Sequence, residues 1–108
     1  MYAIGVDVGG TTVKLGCVQD GINIIYRDKR QSPRDPLQMA QAIHSMVSIA
    51  LKRFPGAAVG ISCAGSMNSQ GNVTASQLGW VSAPLGALIY EPFQRSLAAH
   101  LRYSFRFR

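Results

Sequence analysis

The sequence is poor in acid, in cysteine and in uninterrupted apolar stretches. Only five of its 108 residues are Asp or Glu, against eleven Lys and Arg, and charged residues make up 15% of the chain beside 47% hydrophobic ones. That balance excludes the polar, highly charged mixture of a disordered chain. The two cysteines, Cys17 and Cys63, belong to no C-x-x-C pair. They exclude a disulfide framework and are expected as buried, reduced thiols. Gly, Ser, Gln or Lys breaks every apolar stretch well short of the ~20 residues a membrane helix needs. Tyr2-Ala3-Ile4-Gly5-Val6 follows Met1 with no basic segment, apolar core or small-residue cleavage site, so a cytoplasmic chain with no membrane partner is expected. There is no internal repeat and no low-complexity tract. One domain is the expectation, with somewhat over ~60% of the unfolded surface buried on folding.

What is present begins with a short apolar run, Tyr2 to Val8, which predicts a strand buried on both faces. Gly9 and Gly10 turn the chain, and Thr11 to Val18 resumes as a second strand. Asp20-Gly21 is a hairpin signal, and Ile22 to Arg27 alternates as a third strand, completing an antiparallel meander. Arg27 to Arg34 is rich in charge. Asp35 then offers an N-cap with Pro36 at the first helical position. Ala40, Ile43, Val47, Ala50, Leu51 and Phe54 recur at spacings of three and four, and Pro55-Gly56 ends the pattern, so the spacing predicts a helix from Pro36 to Phe54. Ala57 to Cys63 reads as a strand that crosses over to lie parallel to the first. Ala64 to Asn72 is a loop of turn formers. In the mixed segment from Pro84 to Leu101, Pro92 predicts a break.

Asp7-Val8-Gly9-Gly10-Thr11-Thr12 is the constellation that carries chemistry. A carboxylate at a strand's end holds a divalent cation through water. The glycines clear side chains from backbone amides that can meet a phosphate, and the threonines add hydroxyl donors. Lys14 neutralises phosphate charge in this reading, or is a solvated strand lysine. His44 and His100 fall on helices without a second ligand, Trp80 reads as a loop anchor, and Met39 and Met46 as core or surface residues.

The run Gly5-Val6-Asp7-Val8-Gly9-Gly10-Thr11-Thr12-Val13-Lys14 resembles the first phosphate motif of the ROK sugar kinases and repressors, within the actin, Hsp70 and hexokinase superfamily. Val59-Gly60-Ile61-Ser62-Cys63-Ala64-Gly65 is similar to a second strand and loop of that family, and Leu78-Gly79-Trp80 with Pro84-Leu85 to a third segment. The resemblance covers roughly residues 3 to 101. It implies an α/β fold: the ribonuclease H-like N-terminal lobe of an actin/hexokinase-type ATPase, with a three-stranded antiparallel meander, parallel crossover strands and flanking helices. Residues 1–108 form a single truncated lobe in this reading.

The resemblance further implies an ATP-dependent kinase acting on the 6-hydroxyl of a hexose or N-acetylhexosamine. Asp7 is then the Mg²⁺-side carboxylate, acting through water; Gly9, Gly10, Thr11 and Thr12 form the phosphate turn with Lys14 beside it. Gly65 and Gln77 lie toward the sugar. Ala64 stands where the family usually has proline, and Gln77 where it has asparagine. No acid follows Glu91, so the family's catalytic Asp, its later nucleotide motifs and its zinc cluster are expected to be absent and the chain alone inactive. Two alternatives are a fragment of a sugar-sensing ROK regulator, ranked lower because Met1 abuts the first strand, and a non-catalytic assembly module. Partners expected are ATP, sugar and further copies of the chain through exposed strand edges.

Seven of the eleven basic residues lie before residue 55 among four of the five acids, as on an ordinary solvated surface. Arg102 to Arg108 alternates arginine with Tyr103, Phe105 and Phe107. Nucleic-acid binding is not expected of this tail; a fifth strand with its aromatic face inward is.

Overall fold

The computed structural model describes residues 1–89 and, for the backbone alone, residues 103–107. Its main sheet has five strands in the order β3-β2-β1-β4-β8. These are β1 (Tyr2–Val8), β2 (Thr12–Gln19), β3 (Asn23–Gln31), β4 (Ala58–Cys63) and β8 (Tyr103–Phe107). The first three form the antiparallel meander, while β4 runs parallel to β1 and β8 parallel to β4. That is the ribonuclease H-like order. The β2–β3 turn is made by Asp20 and Gly21 with φ of 54° and 76°, the left-handed geometry for which Asp-Gly is suited.

One helix, α1 (Pro36–Arg53), covers one face of this sheet. It starts at Pro36 because the Asp35 carboxylate accepts from the Gln38 N–H at 3.0 Å, capping an otherwise orphaned donor. It ends at Phe54, whose N–H still donates to Ala50. The helical stripe Met39, Ala40, Ile43, Met46, Val47 and Ala50 is buried against Ile4, Val6 and Val8 of β1, Val13, Leu15 and Cys17 of β2, and Val59, Ile61 and Cys63 of β4. Leu85 and Ile89, in the helical residues 85–89, join the same core. At the sheet's far end the Phe54 ring lies 5.2 Å from Tyr2 and 5.7 Å from Tyr26, between centroids.

Four expectations need correction or completion. First, β1 is buried on one face only: Ile4, Val6 and Val8 point into the core, whereas Ala3 and Gly5 are exposed and Asp7 is half-buried. Its second row, Ala3, Gly5 and Asp7, offers too little apolar surface to demand a cover. Second, β3 runs on through the charged residues to Gln31, because each of Leu15, Lys14, Val13 and Thr12 still finds a backbone partner there. Third, the loop of turn formers contains β5 (Ser66–Met67), which pairs with β6 (Val73–Ala75). With β7 (Trp80–Ala83) and the 3₁₀ turn Ser76–Leu78 between them, these make a second, three-stranded sheet. Fourth, the tail pairs as the fifth strand of the main sheet. Its register sets Tyr103, Phe105 and Phe107 beside Val59, Ile61 and Cys63; the side-chain face expected of those aromatics, the break at Pro92 and His100 lie outside the described residues.

Candidate functional site

Because β1 and β4 are parallel neighbours, the segments leaving their carboxyl ends emerge on the same side, where open α/β sheets bind ligands. Val8 is paired with Cys63, and the Ala64 N–H donates to the Val8 carbonyl at 3.1 Å, so the Gly9-Gly10 turn and the loop holding Gly65 start side by side. Gly9 donates to Thr12 at 3.0 Å, closing the turn, and a Cβ at Gly9 would stand 2.8 Å from the same carbonyl oxygen. A Cβ at Gly10 would stand 2.6 Å from Oε1 of Gln77. Both positions therefore require glycine for close approach.

Gly10, Ala64, Gly65, Gln77 and Leu78 surround a cavity of about 150 Å³. Three of the residues singled out in the sequence, the turn glycine Gly10, the loop glycine Gly65 and Gln77, are thus brought together. Gly65 has φ of 107°, and a Cβ there would meet the Thr74 carbonyl oxygen at 2.3 Å. Its conformation seats the loop against β6. Trp80 is buried, and its indole Nε1–H donates to the Arg34 carbonyl at 2.7 Å, the loop anchor that was expected.

Asp7 and Lys14 lie elsewhere. They are register partners across β1 and β2, and both face the side of the sheet that α1 leaves bare. That side is a concavity of about 770 Å³ whose floor includes Gly60, Gly5 and Gly16, matched in register across β4, β1 and β2. It shares no lining residue with the smaller cavity. Thr11 is exposed at the tip of the turn and Thr12 is half-buried opposite Gln31.

Asp7 Oδ1 is buried, and Ser62 is its register partner on β4. One carboxylate and one hydroxyl suit Mg²⁺ that keeps most of its waters and is shared with a phosphate, rather than a cage of protein ligands. Among the described residues no group of three His, Cys, Asp or Glu side chains converges, His44 included. Sequence reasoning passed over Ser32, Arg34 and Ser62. Ser32 Oγ donates to the Gly9 carbonyl at 2.7 Å, and Arg34 Nη1 donates to the Gln77 carbonyl. A serine and an arginine in a charged connection carry no pattern that marks such contacts.

The ROK family profile matches residues 3–100. The chain belongs to the ROK family. Glucokinase of Streptomyces coelicolor is 37% identical to it over 84 residues, 76% of this chain and 26% of that protein. The ROK chain thus spans about a quarter of the length of the curated relatives it matches. A ROK family glucokinase from Streptomyces griseus, solved with glucose and AMPPNP, superposes with a TM-score of 0.72 at 28% identity, covering 95% of this chain and 32% of that one. The ROK hexokinase of Thermus thermophilus gives a TM-score of 0.74 at 22% identity, over 98% and 34% of the two chains. The fold of the ROK chain is therefore that of the actin/hexokinase ATPases. No described helix is long and apolar enough to cross a membrane.

Proposed function

We propose that residues 1–108 form the N-terminal lobe of an ATP-dependent sugar kinase that phosphorylates the 6-hydroxyl of a hexose or N-acetylhexosamine. The convergence of Gly10, Gly65 and Gln77 on one cavity at the ends of parallel β1 and β4 carries this reading. The matched relatives are glucokinases, which favours a kinase over a sugar-sensing regulator.

In this reading the turn amides and the hydroxyls of Thr11 and Thr12 donate to ATP phosphates, and Asp7 orders the waters of Mg²⁺. Lys14, two residues beyond Thr12, offsets phosphate charge. Mg²⁺, when bound, supplies neutralisation of the β- and γ-phosphate charge. Gly65 and Gln77 bound the sugar side. Phosphoryl transfer also needs a carboxylate to take the proton of the sugar hydroxyl. Asp20 is paired with the Met1 ammonium, Asp28 lies beside Arg30, and Asp35 caps α1. Among the described residues Asp7 is left for the phosphate side, on the sheet face beside the turn rather than in the Gly10–Gly65–Gln77 cavity, and this reading commits it to the metal. This reading therefore expects no ATP turnover from residues 1–108 by themselves.

Titration of the ¹⁵N-labelled chain with AMPPNP and Mg²⁺ tests the reading. Amide resonances of Gly9, Gly10, Thr11 and Thr12 are expected to move, with affinity about tenfold weaker in Asp7→Ala, on the scale of losing one charged contact. Glucose is expected to move those of Gly65 and Gln77. Silence of residues 9–12 toward AMPPNP refutes the proposal. Sugar-dependent ATP turnover by the chain, lost in Asp7→Ala, would overturn the claim of inactivity.

A further inference from the structure

The connection between β3 and α1 is four residues long, and it touches both halves of the site. On one side, the Ser32 hydroxyl donates to the Gly9 carbonyl at 2.7 Å and the Ser32 N–H donates to the Thr11 carbonyl at 2.9 Å. On the other, the Arg34 guanidinium donates to the Gln77 carbonyl, and the Arg34 carbonyl accepts from the Trp80 indole at 2.7 Å. Two bonds run to the glycine turn and two to the segment that flanks the cavity.

The span between these two pairs of bonds is stiff. Pro33 fixes its own φ and restricts Ser32 before it. Gln31, paired with Thr12, anchors one end in the sheet, and the capped start of α1 at Asp35 anchors the other. A Cβ at Gly10 would stand 2.6 Å from Gln77 Oε1 and 2.7 Å from its Cβ, so the two walls of the cavity lie close, with no room for a side chain between them. The residue 32–34 strap resists their separation. Close approach and strap together set the cavity's width.

We propose that Ser32 and Arg34 are positioning residues that couple the glycine turn to the Gln77–Trp80 wall, so that a ligand on either wall is felt at the other. The coupling is a property of the fold; only the identity of the ligands, a nucleotide phosphate and a sugar, rests on the sugar-kinase reading. By linkage, each ligand then changes the other's affinity by the same factor.

Trp80 is the sole tryptophan, so its indole N–H gives one resonance that reports on the far side of the strap. In the ligand-free chain, Ser32→Ala is expected to shift that resonance and to speed its solvent exchange about fivefold, the factor one ordinary hydrogen bond represents. Ser32→Thr, which keeps the hydroxyl, restores it. In the reverse direction, Arg34→Gln is expected to shift the Gly9 and Gly10 amides. Unchanged Ile43 and Val13 methyl resonances certify the fold of each variant. Perturbations confined to the mutated side, in both variants, overturn the coupling. With AMPPNP and Mg²⁺ added, the wild-type indole resonance is expected to follow residues 9–12, and in Ser32→Ala to stop following them. If AMPPNP moves nothing in the wild type, the kinase reading fails while the ligand-free comparison still decides the strap.

Discussion

Cys17 lies opposite Ile4 in the β1–β2 pair and is fully buried. Burial pushes its thiol above the ordinary value of 9.0, since the thiolate loses hydration inside the sheet–helix core. Below pH 9 the thiol is protonated whether the chain is folded or not, and its contribution to stability is complete. As pH rises past 9 the unfolded chain ionises first and is favoured, so that contribution is lost as pH rises toward the folded value. The melting temperature of the wild type is accordingly expected to fall more steeply than that of Cys17→Val as pH rises above 9. Parallel slopes in calorimetry would contradict this. The turn at Gly9 and Gly10 was legible because residue types alone announce a side-chain-free turn after a carboxylate. The steric partner of Gly10 was not. Gln77 reaches it from a distant segment, and no local pattern encodes that meeting.

At the scale of elements, α1 was legible to within a residue because three signals coincide: Asp35 as cap, Pro36 at the first position and a stripe at helical spacing. Asp35→Ala removes the acceptor for the Gln38 N–H. It is expected to cost about 1 kcal/mol, a fall of about 4–8 °C in melting temperature by circular dichroism. Asp35→Ser is expected to recover most of it, and an unchanged melt would show that the cap contributes nothing. The meander was legible for a like reason, since each turn carries its glycine signal. The one-sided burial of β1 was hidden because hydropathy counts Ala3 and Gly5 as apolar; their small size, against Ile4, Val6 and Val8, was the better guide. The second sheet was hidden because β5, β6 and β7 have two, three and four residues, too few for alternation to show.

For the whole molecule, the face of the main sheet that no described helix covers dominates. α1, Leu85 and Ile89 all pack on the opposite face. Ile24 and Ile25 on the edge strand β3 are 52% and 40% exposed, and the same strand carries Arg27, Lys29 and Arg30. Charge on an edge strand discourages pairing with a second sheet, whereas exposed isoleucines favour association. Apolar area is expected to prevail, giving species larger than a monomer in size-exclusion chromatography with light scattering as concentration rises, and Ile24→Lys is expected to reduce them. A strict monomer at every concentration would refute this. The five-strand order has a further consequence for time rather than space. β1 is the central strand, with pairing on both sides along its length. Backbone in that position opens only with the core, on the slowest scale the fold possesses, while the short β5 and β6 can open locally. The glycine turn and the Gln77–Trp80 wall strapped to it thus keep their shape through fluctuations of β5, and the site breathes from the side of the Gly65 loop.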